Sequence, residues 1–245
     1  MDALRGCGLQ TNLFQSTDTM KLPSLLHWRD PDYRSAAANM ALDEALFHWS
    51  IANTVAVARF YHWNHNAVTV GYFNHEGADG QTAVRRFTGG GLVEHGEDLT
   101  FLLTFPAGSE VALAPGSERY QHVHAALAES LALAGFSPGL APEQKPSSPG
   151  PCFANPVPWD LLDPGTSRKI GGGAQRRSRG AVIHQGSIRL PKDLRNPMAP
   201  WIEDFLSRMS ERTGVLDPIV RENLCTESLR IEKERYSSRD WNSGT

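Results

Sequence analysis

The sequence predicts a mixed α+β domain. The first observation behind this is the order of elements: a helix, a run of strands, a helix, more strands, then helices. Regular strand–helix alternation, the mark of a parallel α/β sheet, is absent. The second is size. A chain of 245 residues, 40% of them hydrophobic, can bury one large core. The expected division is a loose leader over residues 1–20 and a single domain over residues 21–245.

Residues 36–52, AAANMALDEALFHWSIA, place Leu42, Ala45, Leu46 and Trp49 on one helical face. TVAVARFYHW (54–63) and AVTVGYF (67–73) are short, β-branched and aromatic, as strands are. AVRRF and LTFLLTF read as strands on either side of three glycines. Residues 120–135 repeat the helical spacing at Val123, Leu127 and Leu131, with Gly135 as a stop. Residues 137–151, SPGLAPEQKPSSPGP, hold five prolines and exclude a helix or a central strand; they read as an exposed loop ending at Cys152. WDLLD and RKIGG read as a hairpin around PGTS, GAVIHQGSIRL (180–190) as a strand, and the two segments beginning APWIEDF and VRENLC as helices.

Composition excludes several functions. A net charge of −3 argues against bulk binding to nucleic acid. No apolar run approaches the roughly 20 residues that span a bilayer. The first 20 residues lack a basic segment followed by an apolar one, so no secretory signal is expected. Three cysteines, Cys7, Cys152 and Cys225, are few and far apart, which fits reduced thiols in a cytoplasm. No Cys/His cluster has metal spacing. Signatures of the P-loop, the G-x-S-x-G elbow and the H-E-x-x-H zinc helix are missing.

Two glycine clusters remain. RRFTGGGLVEH (85–95) sets three glycines beside two arginines, and RKIGGGAQRRSRG (168–180) repeats the device behind Lys169. Two Gly-rich bends could wall one slot, exposing backbone N–H groups to an anion or oxyanion. Arg86, Thr88, Gly89, Gly90, Gly91 and His95 come from the first cluster. Lys169, Gly171, Gly172, Gly173 and Ala174 come from the second, and His184 follows on the next strand. Cys152 lies in the Pro-rich loop, where a cation such as Lys169 would favour the thiolate. Cys225 falls on an apolar helical stripe and reads as core packing. Arg59, Arg85 and Arg86 read as solvent-facing ion-pair partners, with Arg86 the most interesting for its place beside the glycines, and Asp43–Glu44 as a solvated helix face.

The chain resembles the biotin/lipoate protein ligase superfamily in its lipoate branch. NMALDEAL (39–46), RFYHW (59–63), TVGYF (69–73), RRFTGGGLVEH (85–95), KIGGGAQRR (169–177), VIHQGSI (182–188) and RYSSRDWN (235–242) carry the resemblance, in the family's order. It implies a mixed sheet core flanked by helices and a slot for a linear C8 acyl chain. It also implies transfer of that acyl group to a lysine of a lipoyl carrier domain, with Lys169 as the family lysine. Two branches are open. Cysteine-dependent octanoyltransferases take octanoate from octanoyl–acyl carrier protein through a thioester and need no cofactor. Cys152–Phe153, DLTF (98–101) and Ala174–Gln175 are similar to that branch. ATP-dependent lipoate–protein ligases use ATP and Mg²⁺ and carry an R-N-D tripeptide where this chain has PWDL (158–161), keeping only Asp160. Octanoyl transfer is the favoured expectation. An acyl-binding accessory protein without chemistry is the third alternative, since KIGGGA stands where the family has a serine-containing segment. The partners implied are octanoyl–acyl carrier protein and lipoyl domains, either glycine cleavage H protein or 2-oxoacid dehydrogenase E2. Neither nucleic acid nor membrane is among them.

Overall fold

The computed structural model describes residues 20–64, 66–74, 83–143 and 156–243. Cys7, Cys152, most of the expected leader and much of the Pro-rich loop lie outside them. The elements in chain order are β1 (Leu25–Arg34), α1 (Ala36–Asn53), β2 (Val57–Trp63), β3 (Ala67–Val70), β4 (Val84–Arg85), β5 (Val93–His95) and β6 (Leu99–Phe105). Then come α2 (Glu110–Leu113), α3 (Gly116–Leu133), β7 (Gly139–Leu140), β8 (Leu161–Leu162), β9 (Lys169–Ser178) and β10 (Ala181–Ile188). The chain ends in α4 (Trp201–Met209), β11 (Thr213–Val215), α5 (Pro218–Ile231), a π-helical turn (Glu232–Tyr236) and α6 (Arg239–Ser243).

Eight strands form one mixed sheet in the order β11-β1-β2-β6-β10-β9-β8-β7. β1 runs parallel to both β11 and β2; the other pairings are antiparallel. β4-β3-β5 form a small second sheet. Side chains of the large sheet alternate between two cores, as the two-residue strand period requires. Phe60, Phe101, Leu103 and Val182 face α3 and α4 with Val123, Leu127 and Phe205. Tyr61, Leu102 and Ile183 face α1 and α5 with Leu42, Leu46 and Leu224. The mixed sheet flanked by helices is the architecture expected. Among the described residues, no helix is long and apolar enough to cross a membrane.

Two features depart from the sequence reading. β1 was not legible because Pro31 interrupts its pattern. The strand accommodates the proline at a register shift between Arg29 and Tyr33, beyond Leu25–His27 where β11 pairs. The second concerns the glycines after Lys169. They form no bend: Gly171, Gly172 and Gly173 lie in β9 and pair with Ile188, Ser187 and Gly186 of β10. Glycine is a poor strand former, but the neighbours leave no room for a side chain. A Cβ at Gly173 would lie 2.4 Å from His184 Nε2, and one at Gly172 would lie 2.7 Å from Lys169 Cε.

Buried charge is the other surprise. Arg59 is fully buried, bonded through Nη2 to Asp30 at 2.8 Å and through Nη1 to Asp43 at 2.7 Å. Glu44 is buried too, accepting from Tyr236 and Arg235. The expected solvated face of α1 is therefore a contact between α1, the sheet and the C-terminal segment. Arg85 is likewise buried. Its guanidinium donates to the Tyr72, Asn74 and Trp241 carbonyls, tying the C-terminal segment to the turn after β3. Cys225 packs partly buried against the α1–α5 core, in line with its helical stripe.

Candidate active site

A cleft of about 500 Å³ of empty space opens on the α1 face of the sheet. Its floor is one row of residues in register across four strands: Tyr61, Thr100, Ser187 and Gly172. Met40, Trp63 and Val93 close it with apolar surface, Arg86 and Gly90 form one rim, and Lys169, Gly173 and Ala174 the other.

The first glycine cluster forms the rim because backbones cross there. A Cβ on Gly71 would lie 1.9 Å from the Gly90 carbonyl oxygen. Gly90 itself has φ +95°, a conformation that favours glycine, and a Cβ there would stand 3.6 Å from Ala174 Cβ across the slot. Arg86 braces this loop from beneath, its Nη2 donating to the Gly89 and Gly91 carbonyls at 3.1 and 2.8 Å. Arg86 Nη1 donates to Thr69 Oγ1 at 2.7 Å, and Thr69 Oγ1 lies 2.8 Å from His95 Nε2. His95 Nδ1 then lies 2.7 Å from Asp98 Oδ2. Burial lowers the His95 pKa, so the imidazole is neutral, accepting from Thr69 and donating to Asp98. Burial alone would raise the Asp98 pKa. Hydrogen bonds from His95, Ser187 and the Gly96 amide outweigh it and hold Asp98 below the ordinary carboxylate range.

The remaining polar groups also satisfy one another. Gln185 accepts from Thr88 at 2.7 Å and donates to Asp43 at 2.7 Å. Burial raises the Asp43 pKa, and its bonds from Arg59, Gln185 and Tyr61 oppose that shift. Thr100 accepts from Trp63 Nε1 and donates to Asp98, and Ser187 donates to Asp98. A wall rich in polar residues thus spends its polarity inward and offers the cleft an apolar surface.

At the β9 end stands Lys169, 7% exposed, with Nζ 2.8 Å from Asp160 Oδ2. Asp160 is fully buried, and its oxygens also accept from the Val157 amide at 2.6 Å and the Tyr120 hydroxyl at 2.5 Å. Asp160 is thus an anchor for Lys169, and to hold Mg²⁺ as well it would have to share or release these donors.

Of the residues singled out in the sequence, Arg86, Gly90, His95, Lys169, Gly172, Gly173 and Ala174 line the cleft together. Thr88 is buried behind it, and Gly89 and Gly91 present carbonyls to Arg86. Gly171 packs instead against Leu161 and Ile188. His184 departs furthest from expectation. Strand alternation turns it to the opposite face, stacked on Phe101 and beside Tyr120 and His124. It is fully buried there and does not line the cleft. Its neighbour Gln185 faces the cleft. Met40, Tyr61, Trp63, Gln185 and Ser187 also line the cleft and were missed, as was Asp98, buried behind them. Alternation along VIHQGSI could have found Gln185 and Ser187, because only every second residue of a strand shares a face.

The buried histidines set a pH dependence. Burial lowers the His124 pKa to about 4, against an opposing pull from Asp160, and lowers His184 well below the ordinary value. A depressed histidine stabilises the fold above its unfolded value, near 6.5, and that stability is lost as pH falls toward the folded value. His124 alone should make the protein about 2 kcal/mol less stable at pH 5 than at pH 8. Urea unfolding at the two pH values checks this, and equal midpoints would contradict neutral burial.

A family model, that of the lipoyl protein ligase A/B catalytic domain, matches residues 35–213. The chain belongs to that family. Among its curated relatives is octanoyltransferase LipM of Oceanobacillus iheyensis, 34% identical over 172 residues, 64% of this chain and 61% of that protein. Octanoyltransferase LipM of Bacillus subtilis is 33% identical over 186 residues, covering 68% and 66%. The matches thus span a little under two thirds of these relatives. Among solved structures, a lipoate protein ligase from T. acidophilum with bound lipoic acid superposes with a TM-score of 0.64 at 20% identity, covering 90% of this chain and 98% of that one. Lipoate-protein ligase A bound with ATP gives 0.66 at 19% identity, covering 92% and 99%. At such identities these two structures establish a shared fold and nothing further.

Proposed function

We propose that this family member is an octanoyltransferase of protein lipoylation, moving an octanoyl group from acyl carrier protein to a lysine of a lipoyl domain. The observation that carries the reading is the length and lining of the slot. Its floor crosses three inter-strand spacings of about 4.8 Å, roughly 14 Å from Gly172, beside the Lys169 ammonium, to Tyr61. An extended chain advances about 1.2 Å per bond, so eight carbons need roughly 9 Å. An octanoyl tail fits along the apolar floor with its carbonyl beside the Lys169 ammonium. The curated relatives named octanoyltransferase point the same way.

In the proposed chemistry the Cys152 thiolate attacks the donor thioester, and the carrier thiol leaves with a proton. The acceptor amine then attacks the acyl-cysteine, forming the amide and releasing the Cys152 thiol. Lys169 stabilises the oxyanion of both tetrahedral intermediates. Exchange between thioesters is near balance and amide formation is downhill, so neither ATP nor Mg²⁺ is required. In the ATP-dependent reading Asp160 would have to share or release its donors to hold Mg²⁺. Purified protein should octanoylate an apo-lipoyl domain from octanoyl–acyl carrier protein without nucleotide. Transfer only from free acid plus ATP and Mg²⁺ would install the ligase reading, and a bound acyl group that never turns over the accessory one.

The partners proposed, acyl carrier protein and a lipoyl domain, are acidic proteins, and the basic residues along β9 divide into two kinds. Arg176 lies over the Phe87 and Tyr72 rings, 3.9 and 4.8 Å from their centroids, and donates to the Phe87 carbonyl. It braces the rim, so Arg176→Glu should lower transfer from carrier-borne and small octanoyl thioesters alike. Arg177 is exposed. Arg177→Glu should lower kcat/KM only for the carrier-borne donor, and only at low salt, because exposed charge is screened beyond about 8 Å at physiological ionic strength. Equal losses on both donors for Arg177→Glu would remove the docking role.

A further inference from the structure

The Lys169–Asp160 pair is held from the far side of the sheet by one face of α3. Tyr120 and His124 are four residues apart, so they project from that face one turn apart. They grip consecutive residues. His124 Nδ1 donates to the Trp159 carbonyl at 2.8 Å, and the Tyr120 hydroxyl donates to Asp160 Oδ1 at 2.5 Å. Trp159 has φ +71°, a costly conformation for a residue with a Cβ. The Ala141 carbonyl and His124 hold it from both ends of its peptide units. With the backbone so fixed, the Val157 amide and Lys169 hold Asp160 Oδ2, and Tyr120 holds Oδ1.

Tyr120 does more than donate. Its hydroxyl accepts from the Gly173 amide at 2.9 Å. β8 pairs with β9 only at Lys169 and Gly171, so at Gly173 the outer side of β9 faces the tyrosine rather than a strand. Because the hydroxyl accepts from that amide, its proton is directed to Asp160. One oxygen atom thereby joins the glycine rim of the cleft to the carboxylate that holds Lys169. The space above Gly172 is tight, since a Cβ there would lie 2.8 Å from both Asp160 Oδ1 and Lys169 Nζ. A swing of the carboxylate would carry the ammonium away from the slot.

We propose that Tyr120 is a positioning residue for Lys169, acting through Asp160 and the Gly173 amide. The kinetic part rests on the octanoyltransferase reading; the placement of Lys169 does not. Two measurements on the full chain separate them. Without any substrate, cyanate should carbamylate Lys169 about tenfold faster in Tyr120→Phe than in the parent, read by peptide mass. With octanoyl–acyl carrier protein, Tyr120→Phe should lower kcat about tenfold or more and leave KM within about twofold. Tyr120→Phe combined with Asp160→Asn should be no slower than Asp160→Asn alone, because both act on one lysine. Unchanged Lys169 reactivity in a folded Tyr120→Phe, or additive losses in the double variant, would overturn the proposal. A parent protein that transfers no octanoate defeats the functional reading, and the cyanate comparison still decides the role of Tyr120. Should Tyr120→Phe fail to fold, hydrogen exchange on the parent decides. A Gly173 amide as slow as its β10-paired neighbours supports the proposal, and one that exchanges as an open strand edge overturns it.

Discussion

Lys169→Met is expected to lower octanoyl transfer by about a thousandfold while the overall fold persists. The loss follows from removing the ammonium at the proposed position of the acyl head, an effect comparable to losing an oxyanion donor. The same change should destabilise the protein by about 3–5 kcal/mol, because it strands the fully buried Asp160 carboxylate without its cation. The two effects separate in a double variant. Lys169→Met with Asp160→Asn removes both charges, and most of the lost stability should return without the activity. Denaturant unfolding and transfer kinetics on the parent and the two variants test this. If activity returns with stability, Lys169 supports structure alone.

Gly71→Ala is the second large effect. One methyl group would lie 1.9 Å from the Gly90 carbonyl oxygen, and that neighbour is backbone, which cannot rotate aside. The 89–91 loop must lift away from Arg86, breaking its bonds to the Gly89 and Gly91 carbonyls. The rim of the slot should open, so octanoyl binding falls at least tenfold, with a stability cost of about 1–3 kcal/mol or more. Gly108→Ala is the control. It also has positive φ, +81°, but a Cβ there meets nothing within 4 Å. It should cost about 1 kcal/mol and leave binding unchanged. Equal behaviour of the two variants would mean that the Gly71–Gly90 crossing does not shape the slot.

These variants also mark where the sequence was legible. α1, β2, β6, β10 and the β8–β9 turn could be read from local apolar spacing and turn residues, independent of partners. The glycines of RRFTGGGLVEH advertised a close approach, but the approaching group is the backbone of Gly71, 19 positions from Gly90 and not adjacent to it in any local pattern. The glycines after Lys169 looked like a bend because strand propensity disfavours them. Only the packing of His184, Lys169 and Leu161 against them explains the strand. Arg59, Asp30 and Asp43 each look solvated in isolation, since local spacing cannot tell that β1, α1 and β2 bring them together. The pairing of Lys169 with Asp160 is closer to legible, as both flank one short hairpin. The tyrosine behind it comes from a helix 40 residues earlier and left no local sign.

The central claim, covalent octanoyl transfer through Cys152, is tested most directly by mass. The protein is mixed with octanoyl–acyl carrier protein, without nucleotide or acceptor, and its intact mass and peptides are measured. The predicted result is a gain of one octanoyl group, mapped to Cys152, discharged on adding an apo-lipoyl domain and absent in Cys152→Ser. A Cys152→Ser variant that still transfers octanoate at near the parental rate, or an acyl group mapped elsewhere, would contradict it.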